Sequence, residues 1–140
     1  MKHLLGISLL LGLFIWFSGC SKDTSSATDQ LVEVLTKGTW KVTYYMDSDT
    51  LKTDHYNGYS FSFTSSSVLL AGKGTETTIG YWAPVEDGED TKLVISFSSP
   101  AELLKISDDW VVLESAETVV RLVIVSNSGN SPDYLTFEKE

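Results

Sequence analysis

At 140 residues, 42% hydrophobic and 21% charged, the chain is sized for one modest globular domain. Nineteen acidic residues against ten basic ones give a net charge of -9. There is no basic stripe to neutralise phosphates, so no nucleic-acid partner is expected. A single cysteine excludes an intrachain disulfide and any CxxC metal or redox motif, so the fold must be held by packing.

Lys2 and His3 precede an uncharged, leucine-rich run from Leu4 to Phe17. Spanning a bilayer as a helix takes about 20 apolar residues, so this run is short for a membrane anchor. A positive start, a short apolar middle and small residues at the end read as a secretory signal. Ser18 and Gly19 are those small residues, and Cys20 follows at once. The stretch "FSGC" resembles the lipobox of bacterial lipoproteins, with Phe17 where that family usually has Leu. The resemblance implies a diacylglyceryl group on the Cys20 thiol, removal of residues 1–19 and an acylated new amino end. One acyl chain binds membranes only marginally, whereas two or three anchor a protein firmly. An unmodified exposed thiol would be a liability in an oxidising compartment.

Removal of residues 1–19 would take away Lys2 and no acid, leaving nine basic and nineteen acidic residues and a net charge of -10. Residues 20–28, "CSKDTSSAT", show no apolar pattern and read as a flexible spacer. In lipoproteins generally, Asp after the lipidated cysteine favours the inner membrane. Ser21 therefore implies transport to the bacterial outer membrane. "SKD" faintly resembles the surface-export tract of Bacteroidetes lipoproteins.

The body, residues 29–140, opens with "TDQLVEVLTKG". Thr28 or Asp29 suits a helix cap, Leu31, Val34 and Leu35 form a stripe, and Gly38 suits the stop. From Thr39 the period becomes two. In "TWKVTYYM" that period puts Trp40, Val42, Tyr44 and Met46 on one face. "YSFSF" alternates Tyr59, Phe61 and Phe63 with serines, and "SVLLAG" supplies Val68 and Leu70. "TTIGYW" leads to Pro84 and the acidic turn "EDGED", and "KLVISF" sets Leu93, Ile95 and Phe97 together. "PAELLKIS" reads as a short helix or an irregular strand. "DWVVLES" and "TVVRLVIVS" flank a turn at Ala116 and Glu117, and "DYLTFEK" aligns Leu135 with Phe137.

Eight strand-like runs without βα alternation predict an all-β fold behind a short N-terminal helix. A meander of this length should close into an antiparallel up-and-down barrel or stack as two sheets, because open edges invite aggregation. "GTW" at Gly38–Trp40 is similar to the G-x-W motif of lipocalin and other calycin barrels. With "DHYNGYSFSF", "DTKLVISF", "LKISDDWVVL" and "DYLTFEK", the body resembles the lipocalin-like lipoproteins of Bacteroidetes. That likeness implies an eight-stranded barrel at the cell envelope. It also implies a basic side chain over Trp40, with Arg121 and Lys139 as the candidates.

Reacting groups are few. His55 in "KTDHYNG" reads as a solvated loop residue, and no nucleophile elbow such as G-x-S-x-G is present. The chain is therefore read as non-enzymatic. The acidic stretches "MDSDT", "VEDGED" and "SDDW" match turn chemistry and lack the EF-hand pattern. No metal and no cofactor is expected. Aromatics are abundant, and an eight-stranded barrel either fills with side chains or holds one small ligand. If it holds one, Tyr44, Tyr59, Phe61, Trp82 and Trp110 would line an apolar site. If it is filled, the domain reads as a module for interaction with another envelope protein.

Overall fold

The computed structural model describes residues 25–140. They open with helix α1 (Ala27–Leu35). The Ser26 hydroxyl accepts from the Asp29 backbone N–H, and the Asp29 carboxylate accepts from the Ser26 N–H. This reciprocal capping box places the cap at Ser26 rather than at Thr28 or Asp29, so Ala27 and Thr28 are helical and not spacer. Leu31 and Leu35 are fully buried and seat the helix on one end of the sheet.

Nine strands follow, β1 (Trp40–Asp47), β2 (Thr50–Leu51), β3 (Tyr59–Phe63), β4 (Val68–Lys73), β5 (Glu76–Asp87), β6 (Asp90–Ser96), β7 (Asp109–Ala116), β8 (Val119–Ile124) and β9 (Asp133–Lys139). Each of β3 to β8 pairs antiparallel with the next. β9 then pairs with β1 from Trp40↔Lys139 to Met46↔Tyr134, closing an eight-stranded meander barrel. β2 is a two-residue hairpin arm outside that count. β1 meets β3 only at Trp40↔Phe61. Beyond that pair a 3-10 turn, Thr53–Tyr56, fills the gap with the buried Tyr56. Pro84 lies where β5 has run past β4, so its missing N–H breaks no bond of that ladder.

Both ends are plugged. At the α1 end the Trp40 indole donates to the Leu35 carbonyl at 3.0 Å, and Lys139 Nζ lies 5.3 Å from the Trp40 ring centroid. Lys139 is thus the basic residue over this tryptophan. Arg121 instead pairs with Glu114 on the outside. At the other end "PAELLKIS" forms the short helix α2 (Ala101–Lys105). Leu103 and Ile106 from this segment are fully buried. Three tyrosine hydroxyls donate to α2: Tyr56 to the Glu102 carbonyl at 2.7 Å, Tyr45 to the Lys105 carbonyl at 3.3 Å, and Tyr59 to the Glu102 carboxylate at 2.8 Å.

These buried phenols make the fold sensitive to alkali. Burial, then the charges of Asp47, Asp133 and Asp108, pushes Tyr45 up to about 12. Burial and the bond to Glu102 push Tyr59 to about 12, and burial raises Tyr56 further. A raised folded-state pKa contributes stability that is complete below the unfolded value of about 10 and is lost as pH climbs through the folded value. The urea midpoint should therefore hold steady to about pH 10 and fall between about pH 10 and 12. Tyr45→Phe should flatten that fall, and an unchanged slope in the variant would contradict the assignment.

Two strands sit in a different phase from the one their alternation suggests. β1 carries a bulge between Val42 and Tyr44, so Thr43 is an extra residue. The bulge flips the faces beyond it. Tyr45, not Tyr44, enters the barrel at 2% exposure, and Tyr44 and Met46 point outward. In β4 the inward pair is Leu69 and Ala71, with Val68 and Leu70 half-buried outside.

Candidate functional site

Of the five residues expected to line a ligand site, four lie inside the barrel and one does not. Tyr59, Phe61, Trp82 and Trp110 are all at most 6% exposed. Their polar tips are spent on the fold: the Trp82 indole donates to the Thr64 carbonyl and the Trp110 indole to the Ile106 carbonyl. Phe61 and Phe63 both meet Phe137 edge-on, at 5.3 and 5.5 Å between centroids, and Phe63 meets Trp82 at 5.4 Å. Four principal grooves are found on the described residues, and Phe61, Trp82 and Trp110 line none of them. Tyr59 does line one, a hollow of about 180 Å³ shared with Lys41, Tyr56 and Glu140, so the four do not converge on one mouth. Tyr44 stands outside, 38% exposed. Cys20, the signal segment and most of the spacer lie outside the described residues.

His55 is exposed in the 3-10 turn and also lines none of these grooves. Among the described residues no group of three or more His, Cys, Asp or Glu side chains is placed to hold a metal ion. Two of the acids form local pairs, Asp47 with Lys52 and Asp87 with Lys92. In each case the lysine ammonium pulls the carboxyl below its ordinary range.

The largest of these four grooves lies where no site was expected, on the outer face of β7, β8, β9 and β1. It encloses about 500 Å³ between Thr43, Tyr44, Leu113, Arg121, Thr136 and Glu138, with Tyr134 and Leu122 also lining it. Two bulges frame it: Thr43 is the extra residue of β1, and Leu113 the extra residue of β7. A bulge adds twist and re-aims side chains. Here the two flank the regular stretch in which Arg121 pairs with Thr136.

The next row of outward residues is apolar from strand to strand. Register places Val111 beside Val123, Val123 beside Tyr134, and Tyr134 beside Met46. Val123 is only 6% exposed, yet it does not belong to the barrel core cluster. Past Tyr44 and Tyr134 the groove continues into a hollow of about 280 Å³ lined by Met46, Ser48, Asp49, Ser131 and Pro132. Another outward apolar strip pairs Ile79 with Leu70 and Tyr81 with Val68, and none of the four lines a principal groove.

A sequence signal for this face does exist. "WVVL" in β7 and "VVRLVIV" through β8 are nearly continuous apolar runs, not alternating ones. Such runs mark strands with both faces at least partly covered.

No family model matches the chain, and no curated protein matches it either. Among solved structures it is similar to a DUF4847 family protein from Bacteroides vulgatus ATCC 8482, with 16% identity and a TM-score of 0.53. The match covers 77% of this chain and 96% of that one. At this identity the likeness carries the fold: a small antiparallel β-barrel behind a short helix.

Proposed function

We propose that this chain is a lipid-anchored, non-enzymatic lipoprotein of the bacterial outer membrane, whose barrel recognises a partner by its outer face and carries nothing inside. The observation that supports this most is the contrast between the two faces. The interior aromatics are buried, while the exposed Tyr44, Leu113 and Tyr134 line a groove on the outer face. Lipid attachment rests on the lipobox-like "FSGC" and on Cys20 being the one thiol of the chain. The helix cap at Ser26 follows six residues after Cys20, a tether of at most about 20 Å. The α1 end would then face the bilayer, and the groove would open sideways and away from it.

Cys20→Ala should abolish incorporation of labelled palmitate and move the protein from the membrane to the soluble fraction, with its melting temperature unchanged. Continued co-fractionation of the variant with membranes would defeat the anchoring half of this reading. A carrier of a small apolar ligand, the other reading of a lipocalin-like barrel, would need interior space that Leu103, Ile106 and the aromatics occupy.

A further inference from the structure

We propose that the outward face of β4, β5 and β6 lies on the bilayer, so that the anchored barrel leans from its α1 end onto this side; the proposal rests on the lipid anchor at Cys20. Charge marks the face. The chain holds 19 acidic and 10 basic residues. Yet the outward positions from Val68 to Gly72 on β4, from Thr77 to Ala83 on β5, and Val94 and Ser96 on β6 carry no charge. Lys73 and Glu76 stand at one end, Lys92 beyond the other, and Asp109 beside Val94 on β7, all on the rim. The centre is apolar, with Leu70 beside Ile79 and Val68 beside Tyr81. At 62% and 61%, Ile79 and Tyr81 are the most exposed large apolar side chains on any described strand. β4 and β5 stand across the barrel from β8 and β9, whose outer groove carries Arg121 and Glu138. The groove therefore faces away from the membrane.

The tether selects the occupant. Thr28, in the first turn of α1, donates to the Glu86 carboxylate at 3.2 Å, which sets the helix start at the end of β5. From Glu86 back along β5 it is about 17 Å to Tyr81 and about 23 Å to Ile79. The six residues from Cys20 to Ser26 reach about 20 Å at most, so the lipid enters the membrane beside this face. The face is also small. Three strands about 4.8 Å apart and seven residues long make about 330 Å². That is well short of the roughly 800 Å² per partner in a stable protein interface. A second copy would moreover bring its own excess of acids. A bilayer needs no such area, because the anchor already holds the face beside it. Tyr81 suits the interfacial zone, with an apolar ring to bury and a hydroxyl that stays wet.

The full chain, purified with its anchor and reconstituted into phosphatidylethanolamine vesicles with a minority of phosphatidylglycerol, tests this through a fluorescent thiol label. Ile79→Cys and Tyr81→Cys put the label on the face, and Leu113→Cys, at a side chain 58% exposed, puts it on the opposite side. The unsubstituted chain should take no label, because its one thiol carries lipid. At unchanged melting temperature, spin-labelled lipid should quench the labels at 79 and 81 at least about threefold more than the label at 113, and aqueous iodide should quench them less. Equal quenching at all three positions, in chains that float with the vesicles, overturns the leaning barrel and leaves the anchor standing. Protection of 79 and 81 from iodide without lipid quenching, together with disulfide-linked pairs of Ile79→Cys chains, puts a second copy on the face and overturns it too. A chain that takes label at Cys20 and fails to float sinks both.

Discussion

Phe137→Ala is expected to cost about 3–5 kcal/mol, the largest loss of any single truncation in this barrel. Phe137 is fully buried on the closing strand β9. Its ring meets Phe61 at an interplanar angle of 75° and Phe63 at 89°, so one deletion removes two edge-on aromatic contacts as well as buried area. Phe61 sits on β3 at the one position where β3 meets β1, and Phe137 pairs with Val42 on β1. The cavity would open beneath the seam that closes the sheet. Removing a third or more of a typical domain's stability should lower the melting temperature by about 10–20 °C. A fall of only a few degrees would mean that the seam relaxes around the loss, and that the interior is less tightly filled than this structure makes it.

The opposite change, adding atoms, should do comparable harm at Gly80. A methyl group built there falls 2.5 Å from Phe97 Cδ1, 2.6 Å from Cε1 and 2.6 Å from the Ser96 carbonyl oxygen. The ring is a side chain that can shift, but the carbonyl belongs to the paired strand β6 and is fixed by the backbone. Glycine inside a strand often marks such a close approach. Gly80→Ala should therefore cost about 3 kcal/mol, the upper end for overpacking, and Gly80→Val more. In a Phe97→Ala background the Gly80→Ala penalty should shrink, though not vanish, because the Ser96 oxygen remains. Urea unfolding of the four chains of this double-mutant cycle gives the coupling directly, and strict additivity would contradict the contact.

The barrel itself was legible where alternation is clean. Phe61, Phe63, Leu93, Ile95, Leu135 and Phe137 all point inward, as their spacing requires. It was illegible where two apolar residues adjoin. "YY" at Tyr44 and Tyr45 reads equally well in either phase, and only the bulge at Thr43, a feature of pairing with β9, decides between them. "VLLA" in β4 is ambiguous for the same reason, and Leu69 with Ala71 took the inner face. The helix cap was readable but misplaced, since Ser26 and Asp29 form the S-x-x-D box one turn ahead of the apolar stripe.

The site was harder. Whether an eight-stranded barrel is hollow depends on the balance of side-chain volumes, and the α2 segment adds the buried Leu103 and Ile106 to that balance. No local pattern reveals that α2 folds inward. The outer groove depends on two bulges, on strands far apart in sequence, falling at one level of the barrel. Only the nearly continuous apolar runs of β7 and β8 hinted at it.

A barrel that is solid within and recognises its partner from without can be separated from a carrier by titrating the purified chain with a fluorescent fatty acid while following tryptophan emission. Trp82 and Trp110 are at most 4% exposed inside the barrel and would report any guest there. The account predicts no saturable uptake and no quenching of these tryptophans. Saturable one-to-one binding with energy transfer from them would show that the interior opens, and would contradict it.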